Sequence, residues 1–393
     1  MPPPAGARGR EPDWLTGLAV AGLGSRTTLL YVTRGAFYPE ASGGAELSDL
    51  ALFRRLCARG WRIEVLCAFA PRESWLRAAA VADLSRLDLD SRVLEDCKPG
   101  FPCRRVAARG DGIEAWLGCL ERCLDELRPD AVLGGPDPAC PLLGRALERG
   151  LPAFFMAHSL APIVRGLPLP AGLHVIASAP VTARHLAPLA RGDVGLVLPL
   201  LEPDRYRVAR RSPGHVTFVN PIPEKGLGVA VEVARLLPEE RFLFVEGGWS
   251  GVENDEALLA AARALPNVEL WPHQSDMRKV YAVTDILLVP SQLNESFGRV
   301  IVEAQVNGIP VVAADAGGLP FTIGEGGLLV APRNDVDAYA DALRRIRSDP
   351  DLRARLSRAA LENSRRPEFE PGRQVRAFVD FVEARLPGGD VRS

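Results

Sequence analysis

Twice along this chain, apolar runs of strand length alternate with longer amphipathic segments, and one polar stretch, LEPDRYRVARRSPGH at 201–215, parts the two series. Such alternation is the signature of βαβ units on a parallel sheet, because neighbouring parallel strands need a helix-length connection. The first series predicts strands at TLLYVT (28–33), RIEVLCAF (62–69), AVLGG (131–135), AFFMAH (153–158), HVIAS (174–178) and GLVLP (195–199), with helices such as GGAELSDLALFRRLCARG and GIEAWLGCLERCLDEL between them. The second predicts strands at VTFVN (216–220), RFLFVEGG (241–248), VELWP (268–272), DILLVP (285–290), PVVAAD (310–315) and GLLVAP (327–332), then Arg-rich helices. The expected fold class is α/β, as two doubly wound domains: 28–200, a linker at 201–215, and 216–370. Residues 1–27 read as a flexible extension, and 371–393 as a last helix able to pack on either domain. With 393 residues, each domain has chain enough for its own core.

Several function classes fall away on composition. A formal charge of −2 recruits neither nucleic acid nor an anionic membrane. The apolar run near the N-terminus is broken by GSRTT, which argues against a signal peptide or a membrane span. Seven cysteines, all in the first half and without a C-x-x-C pair, read as reduced, mostly core residues of a cytoplasmic protein. A zinc site at Cys119 and Cys123 would lack two further ligands, so no metal is expected. The GLGSRTT stretch at 22–28 precedes a strand, the wrong context for a dinucleotide fingerprint, and there is no Walker A sequence.

The chemistry concentrates in SQLNESFGRVIVEAQVNGIPVV (291–312), which carries Glu295 and Glu303 eight positions apart. A strand ends at LLVPS, Asn294 and Glu295 occupy a turn, and Ser296 is the expected N-cap of a helix closed by Asn307 and Gly308. That puts a helix start at the carboxyl edge of a parallel sheet, with Gly298 removing bulk, a setting suited to phosphate. At ~1.5 Å per residue the two glutamates would stand about 10–12 Å apart along the axis. Glycosidase carboxylate pairs stand roughly 5–9.5 Å apart, so these two are not expected to flank one bond. The spacing suits a ligand with hydroxyls at both ends and phosphates between; against this, Glu303 reads as a solvated helix residue.

The stretch PSQLNESFGRVIVEAQVNGIPVVAADAGG resembles the donor-site signature of family 4 glycosyltransferases: an E-x7-E pair, FG between, EA after, and a GxPVV strand. That family consists of retaining enzymes of the GT-B fold, two Rossmann-like domains across a cleft. FYPEASGGAE resembles its glycine loop (Gly43, Gly44), AFFMAHSL its strand ending in an active-site histidine (His158), and NPIPEKG the segment whose lysine (Lys225) meets donor phosphates. The resemblance implies His158, Lys225 and Glu295 as catalytic residues. It implies donor binding by Gly43, Gly44, Asn220, Lys225, His273, Met277, Glu295, Ser296, Phe297, Gly298, Val300 and Glu303, with sugar hydroxyls on Glu295, ribose on Glu303 and the base near LWPHQSDM (270–277). The implied reaction moves a sugar from a nucleoside diphosphate sugar, by default a UDP-sugar, to an acceptor; the absence of a basic amphipathic face points to a small soluble acceptor, and the absence of a metal-ligand cluster in the sequence to a reaction without metal or other cofactor.

Two departures stand out. Where the family has a GR pair before its lysine, this chain has Val219 and Asn220, which transfers weight to Lys225 or to an arginine such as Arg299 or Arg34. Where the loop after the double glycine carries a glutamate, this chain has Phe321. Simpler readings coexist: His158 as a hydrogen-bonded core histidine, His273 as a loop residue, Trp249 as a packing residue. A phosphorylase or nucleotide-sugar epimerase of the same fold, and a binding subunit without turnover, are the alternative functions.

Overall fold

The computed structural model describes residues 27–39, 41–69, 87–88, 93–106, 112–135, 140–160, 169–190, 192–248 and 255–387. Features noted above at 1–26 and at Trp249 lie outside the described residues.

The first series builds a nine-stranded sheet from β1 (Thr28–Ala36), β2 (Arg62–Ala68), β3 (Leu87–Asp88), β4 (Val93–Asp96), β5 (Cys103–Val106), β6 (Ala131–Gly134), β7 (Ala153–Ala157), β8 (His174–Ala177) and β9 (Val194–Leu196). Its order is β3-β4-β5-β2-β1-β6-β7-β8-β9, parallel except for the antiparallel pairs β3/β4 and β4/β5. Helices α1 (Gly44–Ala58), α2 (Ile113–Leu127), α3 (Cys140–Glu148) and α4 (Pro180–Leu186) accompany it. Period-2 alternation sets the two faces of β1: Leu29 and Tyr31 enter one core, Leu30 and Val32 the other.

The second series builds a six-stranded, all-parallel sheet from β10 (His215–Val219), β11 (Phe242–Val245), β12 (Val268–Trp271), β13 (Thr284–Val289), β14 (Val311–Ala314) and β15 (Gly327–Val330), in the order β12-β11-β10-β13-β14-β15. Its helices are α5 (Leu227–Leu236), α6 (Glu256–Arg263), α7 (Arg278–Val283), α8 (Arg299–Gln305), α9 (Leu319–Ile323), α10 (Val336–Ser348), α11 (Pro350–Ser364) and α12 (Pro371–Glu383). In this sheet the strand order reverses between β10 and β13, and in the first sheet between β1 and β6. Open α/β sheets bind ligands in the crevice at such reversals, beyond the carboxyl ends of the strands.

Three sequence expectations change. The stretch DCKPGFPCRR (96–105), where no strand is predicted above, runs into β5, which pairs with β2 in parallel and with β4 in antiparallel. It hides because its arginines are polar only in name: Arg105 is fully buried and held by Asp96 at 2.5 Å. The helix after Glu295 starts at Arg299 rather than Ser296, capped by Gly298 at φ +81°, and the Ser296 hydroxyl is buried without a hydrogen-bond partner. The last helix, α12, left open between the domains, packs on the first: Val375, Phe378 and Val382 join the core that contains Tyr31 and Trp61.

The polar stretch after Leu200 ties the halves together. Ser48 Oγ accepts from the Leu200 amide at 2.8 Å, Arg55 pairs with Glu202 at 3.1 Å, and the Val208 amide donates to Asn307 Oδ1 at 2.8 Å.

Candidate active site

The loops after β10 and β13 meet at the strand-order reversal, and each brings one charged side chain. Lys225 ends a 3-10 turn, Pro223–Lys225, that Gly226 closes at φ +90°. Only glycine serves there, because a Cβ would also collide with the carbonyl of Pro290, the last residue before the second loop. This close approach lets Lys225 Nζ donate to Glu295 Oε1 at 2.5 Å, and Ser291 Oγ donates to the same oxygen at 2.8 Å. Among the described residues Oε2 has no hydrogen-bond partner, and the side chains remain 27% and 13% exposed, so the pair is open to a ligand. The backbone of Glu295 is fixed from the other side by the Gly318 amide, which donates to the Glu295 carbonyl at 2.6 Å. A side chain at Gly317 or Gly318 would strike the backbone of Glu295 or Ser296, which is the physical reason for AGG at 316–318.

Asn220 adopts φ +65°, a left-handed conformation that asparagine tolerates better than most residues. Of the two arginines considered as substitutes, Arg299 is already engaged inside the protein, and Arg34 has a buried Nε without a partner.

Glu303 is buried rather than solvated. Tyr281 donates its hydroxyl to Oε2 at 2.8 Å, and Arg299 Nε approaches Oε1 at 3.4 Å. Arg299 also donates to the Leu200 carbonyl and to the Tyr206 hydroxyl, both at 2.9 Å. Its stem lies against Gly44, where an added Cβ would stand 3.1 Å from Cδ of the arginine. A carboxylate offers about four acceptor positions, so these two bonds leave Glu303 capacity for a ligand.

From the other half, the glycine loop leads into α1, with Gly43 at its N-cap position. The loop touches the second sheet: the Ser42 amide donates to the Gly248 carbonyl at 3.1 Å, and His273 stands against Gly248. His158, one residue beyond β7, meets α1 through a 2.8 Å bond from Nε2 to Asp49 Oδ1, while Tyr31 donates to Asp49 Oδ2 at 3.1 Å. Burial opposes protonation of His158, but the charge of Asp49, its hydrogen bond and Glu46 outweigh burial and the opposing Arg299, raising the histidine above its usual range. Burial, together with Asp49, also raises the carboxyl of Glu46.

The remaining predicted residues fall into two kinds. Ser296, Gly298 and Val300 follow Glu295 along the turn and into α8. Phe297 and Met277 are packing residues by side chain: Phe297 is buried edge-on to Phe369 at 5.5 Å, and Met277 packs between two cores. Phe321 does not face into open space either; Arg366 stacks on its ring at 4.6 Å, and Phe369 meets it edge-on. Sequence reasoning missed Asp49, Tyr31, Ser291, Tyr281 and Tyr206. Asp49 had left a trace, as a carboxylate beside the apolar run Leu50-Ala51-Leu52-Phe53, all of it buried.

Comparison with known proteins bears on this geometry. The family model for glycosyl transferases group 1 matches residues 216–363. The D-inositol 3-phosphate glycosyltransferase of Saccharomonospora viridis is 44% identical over 148 residues, covering 35% of this chain and 33% of the relative. That of Mycobacterium leprae is 37% identical over 198 residues, 45% of this chain and 46% of the relative. The chain thus spans a third to a half of these relatives' length. Against that of Frankia alni the match runs over 370 residues, 81% of this chain and 89% of the relative, at 29% identity. Among solved structures, sucrose-phosphate synthase from Thermosynechococcus elongatus superposes with a TM-score of 0.74 at 18% identity, covering 91% of this chain and 98% of the other. HepE of Anabaena, solved with UDP-glucose, gives 0.71 at 16%, covering 91% and 100%. Residues 216–363 thus match the group 1 glycosyl transferase family, and the two sheets together form the GT-B fold.

Proposed function

We propose that this protein transfers a hexosyl group from a nucleoside diphosphate sugar to a hydroxyl of a small soluble acceptor, with retention at the anomeric carbon. The observation that carries the reading is the Lys225–Glu295 pair at the reversal point, with one carboxylate oxygen unused and glycines packed behind it. Lys225 stabilises the departing diphosphate, aided by the amides of 296–298, which is electrostatic work on charge that develops as the bond breaks. Glu295 holds sugar hydroxyls, and Glu303 holds the ribose. Gly43 and Gly44 admit the diphosphate, and Asn220, His273 and Met277 line the path toward the base. The acceptor attacks from the face of the leaving group and passes its proton to a phosphate oxygen, so no separate general base is needed. The reaction runs without metal or other cofactor, in the cytoplasm.

The relatives' names make an inositol phosphate the first acceptor to try, and UDP-glucose is the first donor because a structural neighbour was solved with it. The test is release of nucleoside diphosphate from a donor panel with and without acceptors, with the product's anomeric configuration read by NMR. An α-linked product from an α-linked donor, formed equally in EDTA, is the expected result. Turnover restored only by manganese would remove the metal-free mechanism, and inversion would remove retention. Donor consumption without any acceptor would point instead to a phosphorylase or an epimerase. Tight nucleotide binding with no turnover would favour the binding-subunit reading, which Asn220 and the packed Phe321 keep open.

A further inference from the structure

We infer that Asp49 is a positioning residue for His158: anchored by Tyr31, it takes one ring nitrogen from inside the N-terminal half, so that the histidine meets the sugar through Nδ1 alone. The inference rests on the reading above, in which His158 faces the reacting sugar.

The side chain of Asp49 is 2% exposed, and its neighbours at 50–53 are apolar and buried. A carboxylate in such a place is costly unless every oxygen is engaged, and an apolar residue of similar volume would generally do no harm to the fold. Here both oxygens are engaged: Oδ1 by His158 Nε2 at 2.8 Å and Oδ2 by the Tyr31 hydroxyl at 3.1 Å. Tyr31 in turn is 2% exposed on β1, wedged by Phe37 and Phe53 with ring centroids at 5.6 and 5.0 Å. The tyrosine cannot swing, Asp49 cannot leave it, and the imidazole cannot rotate without breaking its bond to Asp49.

The chemical consequence concerns which nitrogen does what. With Nε2–H donating to Asp49, a neutral ring would present Nδ1 as an acceptor, and a charged ring presents Nδ1–H as a donor. Burial and, more weakly, Arg299 on α8 oppose the charged ring, and Asp49 and Glu46 on α1 favour it and prevail. In its charged form His158 gives a hydrogen bond to a sugar hydroxyl or phosphate oxygen. It ceases to do so once it deprotonates, which makes the basic limb of the rate profile a property of this pair.

The test combines imidazole nitrogen-15 NMR with kinetics on the wild type, Asp49→Leu and Tyr31→Phe, with His158→Asn assigning the resonance. In Asp49→Leu the protonation midpoint of His158 moves down the pH scale by about one to three, the range an adjacent opposite charge supplies. The basic limb of kcat/KM moves down with it, while the nucleoside diphosphate Kd, to which Asp49 makes no direct contribution, changes less than threefold. Tyr31→Phe moves both in the same direction by a smaller amount, and serves alone should Asp49→Leu not fold. A midpoint that falls while the pH profile stays put would reduce Asp49 to a packing role, and an unmoved midpoint would overturn the inference outright. A wild type inactive on every nucleotide sugar would instead sink the proposed reaction, and the NMR titration would still decide whether Asp49 holds His158.

Discussion

The two halves present carboxylates to the cleft in different ways. In the C-terminal half Glu295 sits on a loop, partly open, bonded to a lysine from the neighbouring loop. In the N-terminal half Asp49 is sealed inside a helix packing face and reaches the cleft only through His158. Glu303 belongs to the second kind despite its place in the C-terminal half: like Asp49, it is gripped by one tyrosine hydroxyl and one nitrogen base, here Tyr281 and Arg299. A carboxylate on a loop at a strand-order reversal stays open to solvent, whereas a buried one must be matched by fixed partners, two for Asp49 and two for Glu303. Position in the fold, more than residue type, sets which kind a carboxylate is.

That division can be broken experimentally. Arg299→Met strips a buried pair of one member and should cost about 3–5 kcal/mol in urea unfolding. Adding Glu303→Gln should recover part of the loss; no recovery would mean that Arg299 acts through Leu200 and Tyr206 instead. Lys225→Ala should show the opposite pattern, with kcat down by about 10²–10³ and unfolding hardly changed, because the pair it breaks is partly exposed. A loss of stability with little loss of rate would place Lys225 among the supporting groups. Gly318→Ala, which drives a methyl into the Ser296 carbonyl, should cost roughly 1–3 kcal/mol and weaken donor binding, read by calorimetry with UDP.

The smallest effect is one of pH. Because His158 is raised in the folded state, its stabilising contribution is complete below the unfolded value of about 6.5 and is lost as pH rises through the folded value. The contribution amounts to about 1.4 kcal/mol for every tenfold difference in proton affinity between the folded and unfolded chains. Urea unfolding of the wild type should therefore weaken across that window, and His158→Gln should flatten the curve. Identical slopes would separate His158 from Asp49 thermodynamically.

The C-terminal half was largely legible from sequence because its signals are local. Six strands of apolar residues, glycines at turns that admit no side chain, and charged residues directly after strands all speak within a few positions. What stayed hidden depends on partners far along the chain. Arg105 and Asp96 disguised the paired strands β4 and β5 as a polar loop. Ser296 looks like a helix cap, yet Gly298 takes that place because φ +81° suits a glycine. Asp49 was unreadable because its meaning requires His158, 109 residues away. Buried polar networks of this kind are assembled by tertiary structure and leave in the sequence only an out-of-place carboxylate.

The crossing of α12 onto the first half has a consequence for how the protein is made. Phe378 packs on Trp61 with ring centroids at 6.1 Å, and Phe381 lies where a Cβ on Gly195 would stand 2.7 Å from its ring. The nascent N-terminal half thus leaves the ribosome with a gap in its core, at about 5–20 residues per second, and carries that gap until the helix encoded beyond the whole second sheet arrives. The half that begins first is completed last, and the C-terminal half is finished within that interval.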